Sequence, residues 1–184
     1  MGMVSKAAHV SAVHLDGEHR FSKQPADMIR IIAGLGVEGD AHAGERVQHL
    51  SRVRADPTQP NLRQVHLMHC ELFEELAGKG FTVRPGDLGE NISTSGIDLL
   101  ALGRDTILRI GERAVLRVTG LRNPCGQIEA FAPGLLKQVA VKTDQGLVRK
   151  AGIMCIALES GEVKPGDAIT IEPPQGEHIP LERV

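Results

Sequence analysis

Tryptophan and tyrosine are missing from this 184-residue chain, and phenylalanine occurs only four times. A protein that stacks nucleic-acid bases on aromatic platforms needs more than that. Charge of one sign is missing too. The net charge is −2, with acids and bases mixed along the chain and no basic run, so bulk attraction to nucleic acid is not implied. Cysteine is scarce: Cys70, Cys125 and Cys155 are odd in number, widely spaced and without a Cys-x-x-Cys. That argues against a disulfide framework and against a Cys-rich zinc site, and leaves three free thiols to be judged one at a time. No apolar run approaches the roughly 20 residues that cross a bilayer. No apolar signal-peptide core follows Met1 to Lys6. The expectation is a cytoplasmic protein with neither nucleic acid nor membrane as a partner. There is also no G-x-S-x-G, no P-loop and no repeat of fixed period.

What is present is enough apolar residue, 41%, for a sizeable core filled by Val, Ile, Leu, Ala and Met. The length suits one domain, expected over residues 1–172, with 173–184 as an extended C-terminal tail. Short Val- and Ile-rich segments dominate. Strands are expected at Ala8–Leu15, Met28–Ala33, Gln64–Met68, Thr106–Ile110, Ala114–Thr119, Gly152–Leu158 and Ala168–Glu172. Two stretches read as helices, Glu71–Lys79, stopped by Gly80, and Pro133–Val141. Arg84-Pro85-Gly86-Asp87 and Lys164-Pro165-Gly166-Asp167 are the same sharp turn written twice. Many short strands joined by tight turns predict a mostly β fold, a closed or partly closed barrel with a few short helices. The polar stretch Ser51–Asn61, with Pro57 and Pro60, reads as a surface loop. Its arginines Arg52 and Arg54, with Arg63 nearby, leave open that it folds over an anion.

Several segments offer chemistry. Gly34-Leu35-Gly36-Val37-Glu38-Gly39 fits G-x-G-x-x-G, but no helix starts within it and no parallel strand follows. A turn allowing close backbone approach is the better reading. Asp40-x-His42 pairs an acid with a histidine it could orient, or with which it could share a metal alongside His49, His66 or His69. His66 and His69, three apart on a strand, would face opposite sides. Pro85-Gly86-Asp87-Leu88-Gly89-Glu90-Asn91-Ile92 is an irregular glycine loop that either binds an anion or turns a corner. Arg122-Asn123-Pro124-Cys125-Gly126 follows an apolar strand. Arg122 would favour the thiolate of Cys125, the form that attacks and ligates metals, although an incidental loop cysteine reads equally well from these residues alone. Cys155, in an apolar strand, is expected to be inert filler. Cys70 opens a helix, where a thiol pKa can fall, with a packing role as the simpler alternative.

Taken in order, these segments resemble the MOSC family, named after the C-terminal part of molybdenum cofactor sulfurase. Gly39-Asp40-Ala41-His42-Ala43-Gly44, the loop Pro85–Ile92, Asn123-Pro124-Cys125 and Val163-Lys164-Pro165-Gly166-Asp167 carry the likeness, with Leu99–Gly103 and Ile110-Gly111 between them. It spans about residues 20 to 172. The resemblance implies a barrel related to the small barrel domain of pyruvate kinase. It implies the molybdenum cofactor, with Cys125 as the catalytic residue, either ligating molybdenum or carrying sulfur as a persulfide. Asp40, His42, Asn91, Arg122 and Asn123 would then bind the cofactor. No pyridoxal phosphate is expected, since the chain has no room for the aminotransferase-like domain of fused members. A stand-alone protein of the bacterial type is expected instead.

Three readings follow. The first is a molybdenum-dependent enzyme reducing N-hydroxylated compounds, which would need an electron-donor protein as partner. The second is a sulfur carrier that passes a persulfide sulfur from Cys125 to an acceptor. The third is a non-catalytic module for an anionic small molecule.

Overall fold

The computed structural model describes residues 7–184. The segment Met1–Lys6, on which the signal-peptide reading rests, lies outside the described residues. The fold is mostly β. The strands are β1 (His9–Leu15), β2 (Gln24–Ala26), β3 (Ile29–Ile32), β4 (Gly36–Val37), β5 (Val65–His69), β6 (Ile92–Ser95), β7 (Ile107–Ile110), β8 (Ala114–Leu121), β9 (Ala140–Thr143), β10 (Gly146–Arg149), β11 (Ile153–Glu159), β12 (Gly161–Val163) and β13 (Ile169–Glu172). The helices are short: α1 (Leu50–Ala55), α2 (Cys70–Gly78), α3 (Gly126–Phe131) and α4 (Leu136–Val139). No helix among the described residues is long and apolar enough to cross a membrane.

The expected barrel does not close. Eight strands form one open sheet in the order β13-β7-β8-β11-β5-β6-β1-β2, and β12-β3-β4 and β10-β9 form separate small sheets. Where a closing ladder would run between β1 and β13 there is one bridge, His9 to Ala168. The Pro-Gly-Asp turn at 164–167 occupies that place, and its Gly166 and Asp167 bond to the Val10 backbone instead. The two such turns are built alike. Gly86 and Gly166 take φ of 88° and 93°, as the third position of a type II turn requires. Asp87 and Asp167 each accept a hydrogen bond from the backbone N–H three residues back, at 2.8 and 2.9 Å.

All seven strands expected from the sequence are present to within two residues at each end. The shorter strands lacked a signal because they are two to four residues long, polar, or exposed. β6 reads Ile-Ser-Thr-Ser, yet Ser93 and Thr94 are fully buried. The expected helix Pro133–Val141 is curtailed to α4. Gly134 turns into the left-handed region at φ 87°, and Ala140 already belongs to β9. The loop Ser51–Asn61 holds part of α1, which buries none of its residues and so has no apolar stripe to read. Its flanks are tied by tertiary bonds, Val47 N–H to Gln59 O and Asn61 N–H to Glu45 O. The C-terminal segment is docked on the fold: Arg104 N–H donates to Ile179 O and Leu121 N–H to Glu182 O.

Two apolar clusters lie on opposite faces of β5. Val65 and Leu67 join Val10, Ile31, Leu116 and Ile153 in the larger one. Met68 joins Leu72, Leu76, Leu88, Ile128 and Val139 in the second, beneath α2. The period of two along a strand explains the division. It also sets the site, because His66 shares the Met68 face.

Candidate active site

Antiparallel pairing of β5 with β11 sets His66 opposite Met154, and both side chains point away from the main core into a cleft. The cleft has a volume of about 400 Å³, within the range of small-molecule sites. Three further segments converge on it: the glycine loop before β6 with Gly89 and Asn91, the Arg122–Cys125 segment between β8 and α3, and the α1 region with His49 and Arg52.

Cys125 sits immediately before α3, partly buried, with Sγ 3.5 Å from Gln127 Oε1. Arg122 is 9% exposed and donates through Nη1 to Leu88 O at 2.5 Å. Its guanidinium lies 5.6 Å from the centre of the Phe21 ring. Burial lowers its pKa, against the influence of Cys125 and Glu90. Asn123 lines the cleft beside it and accepts from Arg149 Nε at 3.2 Å. Arg63 is the less expected member. Its Nε is buried with no hydrogen-bond partner among the described residues. Burial, reinforced by the charges of Arg52 and Arg122, brings its guanidinium down to about 10. At neutral pH it remains a cation with no ion-pair partner among the described residues.

Basic side chains line the cleft, Arg20, Lys23, Arg52, Arg63 and Arg122, while no Asp or Glu does. Arg20 is compensated by Asp16 and Glu18 outside the cleft. Lys23 is bound by Asp40, the sequence-predicted site residue that does not line the cleft itself. Asp40 is buried beneath it. Lys23 Nζ donates to both its oxygens, at 2.9 and 2.7 Å, and Asn91 Nδ2 donates to Oδ2 at 3.1 Å. Burial alone would raise the Asp40 carboxyl. The charge and hydrogen bonds of the Lys23 ammonium, with the His42 backbone N–H, outweigh it and hold the group well below the usual carboxylate range. Asn91 spans the site, since its Oδ1 also accepts from the His66 N–H at 3.0 Å.

Of the residues expected in the site, Cys125, His42, Asn91, Arg122 and Asn123 share the cleft, and Asp40 supports it from below. Lys23, Phe21 and Met154 were not foreseen, and the sequence suggests His66 only as a metal partner. Lys23 lies in a polar stretch with no motif, and His66 could be placed only once its strand had a partner. Of the arginines of the Ser51–Asn61 region and its flank, Arg52 and Arg63 line the cleft and Arg54 does not. His66 and His69 do face opposite sides, since only His66 lines the cleft. Among the described residues no group of three or more His, Cys, Asp or Glu could hold a metal ion, so a histidine metal site is not formed. Cys70 takes the packing role: burial, chiefly, raises its thiol pKa. Cys155 is fully buried in the core and its pKa is raised by burial, as expected of filler. The G-x-G-x-x-G stretch forms the β3–β4 hairpin and its exit, with no helix.

Gly89 holds two parts of this site together. It takes φ 89°, and a Cβ there would stand 2.5 Å from the Phe21 carbonyl oxygen. Gly89→Ala is therefore expected to destabilise the fold by about 1–3 kcal/mol and to shift Phe21 from beneath Arg122. Denaturant unfolding measures the first effect. An alanine variant as stable as the parent would mean that the loop adjusts freely.

The chain belongs to the MOSC domain family, whose model matches residues 38–170. Among solved structures it is similar to the YuaD protein of Bacillus subtilis, with a TM-score of 0.75 and 24% identity, covering 92% of this chain and 98% of that one. It is also similar to YiiM of Geobacillus stearothermophilus, with a TM-score of 0.68 and 16% identity over 94% of this chain and 79% of that one. YiiM of Escherichia coli gives a TM-score of 0.61 and 18% identity over 94% and 72%. At these identities the likeness is one of fold. No match was found among curated proteins.

Proposed function

We propose that the cleft binds an anionic pterin-type molybdenum cofactor, with Cys125 as the sulfur ligand to the metal, and that the protein reduces N-hydroxylated compounds. The observation that carries this is the unbalanced charge of the cleft. Arg63 keeps a buried, unpartnered Nε beside Arg52 and Arg122, with no carboxylate lining the cleft. Like charges gathered in a partly dry site are stabilised by an anion, and a guanidinium fork suits phosphate oxygens. A soft thiol, 3.5 Å from the Gln127 amide oxygen and near the Arg122 guanidinium, is the donor type molybdenum accepts.

In this reading Arg63, Arg52 and Arg122 would hold the phosphate and Asn91, Asn123 and His42 the polar ring edges. When bound, the cofactor supplies two-electron transfer. Reducing an N-hydroxylated base to the parent base takes two electrons and two protons and releases water, and the electrons would come from an electron-donor protein. The chain's own contribution is to orient the ligand, to exclude water with Phe21 and Met154, and to offer hydrogen-bond donors.

Metal analysis after expression in a host that makes the cofactor tests this. The parent should carry near-stoichiometric molybdenum and Cys125→Ser should lose it. Arg63→Met should lower the content about tenfold or more at limiting cofactor, the usual effect of removing a charge-assisted bond. A parent free of molybdenum would sink the proposal. Mass spectrometry for a persulfide on Cys125 would then test the sulfur-carrier reading. Molybdenum retained in Cys125→Ser but lost in Arg63→Met would identify an anion-binding module in which the thiol has no part.

A further inference from the structure

His42 has one ring nitrogen turned inward and one free. Nδ1 lies 3.2 Å from Lys23 Nζ and 3.5 Å from Asp40 Oδ1. It cannot serve both in the same state. An ammonium only donates and a carboxylate only accepts, so Nδ1 is either bare toward Lys23 or protonated toward Asp40. The geometry favours Lys23. The contact to Nζ is the shorter, and the distance to the carboxylate lies beyond the ordinary range for an N–H···O bond. Asp40 Oδ1 is already supplied, by the His42 backbone N–H at 2.9 Å and by Lys23 at 2.9 Å. Lys23 Nζ, on a side chain 3% exposed, has Asp40 and His42 Nδ1 as its partners. A proton on Nδ1 would set an N–H against a buried ammonium and leave one of its hydrogens unsatisfied, which is costly.

Burial, together with the charge of Lys23, lowers the His42 pKa against the pull of Asp40, so the ring is neutral at neutral pH. A neutral imidazole whose Nδ1 accepts must carry its proton on Nε2. Nε2 has no partner among the described residues and is not a buried orphan, while the ring is 28% exposed and lines the cleft.

We infer that Lys23 is a positioning residue that locks His42 as the Nε2–H tautomer, so that the cleft presents one fixed hydrogen-bond donor to an unprotonated oxygen of a ligand held by Arg63 and Arg122. The donor toward the ligand rests on the anion-binding reading above; the tautomer does not. It selects ligands that place an acceptor against His42 and disfavours those that place an N–H or O–H there. Asp40 holds Lys23 in place, and Asn91 holds Asp40.

Nitrogen-15 correlation spectra of the protein without cofactor read the tautomer directly, with the His42 signal assigned by its loss in His42→Gln. A neutral ring protonated on Nε2 is expected at neutral pH. A ring protonated on Nδ1, or a charged one, overturns the inference. In Lys23→Met the preference should be lost or should pass to Nδ1–H facing Asp40, and an unchanged Nε2–H ring would remove Lys23 from the account. Should that variant not fold, the pair Lys23→Met with Asp40→Leu removes both charges together and should show mixed tautomers; a ring still fixed as Nε2–H again overturns the role of Lys23. Molybdenum content in a cofactor-making host tests the donor. His42→Gln keeps an N–H near the Nε2 position and should hold within about twofold of the parent. His42→Asn moves that N–H toward the Nδ1 position and should lose about tenfold. Equal loss in both overturns the donor role. A parent without molybdenum would refute the cofactor reading, while the ring spectrum would still decide the tautomer.

Discussion

Lys23→Met is expected to lower the stability of the fold by about 3–5 kcal/mol, the usual result of removing one partner from a buried ion pair. The side chains of Lys23 and Asp40 are 3% and 0% exposed. Methionine replaces the aliphatic stem well, so lost packing contributes little. What remains is a carboxylate with no cation. It keeps the N–H groups of His42 and Asp16 and the Asn91 amide. Those donors satisfy its lone pairs without cancelling its charge. Removing both charges, with Lys23→Met and Asp40→Leu together, should recover part of the loss, although three donors then lack an acceptor. Urea unfolding at neutral pH measures both. A loss under about 1 kcal/mol for Lys23→Met would place the pair among solvent-screened surface bridges.

Acid should destabilise this protein well before its carboxylates titrate. His14, His42, His49, His66 and His69 all have pKa values below the ordinary histidine value, and burial is the leading cause in each. In the unfolded chain these rings titrate near 6.5. The sign follows from proton binding. Between that value and the folded-state pKa, the unfolded chain holds protons that the folded protein does not, so folding weakens as the pH falls. For His49 the window extends down to about 4. The His66 ring, buried and with Nε2 2.8 Å from Ala151 O, is also held well below the ordinary histidine value by burial. Each such ring contributes about 1.4 kcal/mol per pH unit within its window. Glu90 acts in the opposite sense, because burial raises its pKa and protonation then favours the folded state. One carboxyl does not offset several histidines. Asp40, held low, adds its own loss only as the pH falls below about 3.9. Denaturant midpoints should therefore drop clearly between pH 7 and pH 5. A flat profile over that range would show that the rings gain protons without unfolding, and that the cleft is wetter than its geometry indicates.

The two halves of the site differed in how legible they were. Arg122, Asn123 and Cys125 could be read because a Pro- and Gly-punctuated turn after an apolar strand has to come out at one end of a sheet. Asp40 and His42 sit in a glycine-rich turn for the same reason. The basic side of the cleft carried no such sign. Arg63 and Arg52 belong to a polar stretch whose residues fit solvent as well as they fit a ligand, and α1 buries nothing that would mark its inner face. At Cys70 the helix start left open a lowered thiol pKa beside the simpler packing role, and the packing around it, which no local pattern records, raises the pKa.

The positions of the seven apolar strands, the paired Pro-Gly-Asp turns and the order of the MOSC segments were determined by the sequence alone, because each depends on neighbours within a few residues: apolar alternation, the fixed φ of proline, the positive φ of glycine. Whether the sheet closes, and which charges are left without partners, were decided only in three dimensions. The seam between β1 and β13 depends on a turn that takes up the Val10 backbone bonds from far along the chain. Arg63 Nε has no hydrogen-bond partner among the described residues, while Asp40 is bonded to Lys23 and none of the described carboxylates lines the cleft. Charge balance is a property of distance through space, and residues far apart in sequence carry no local record of it.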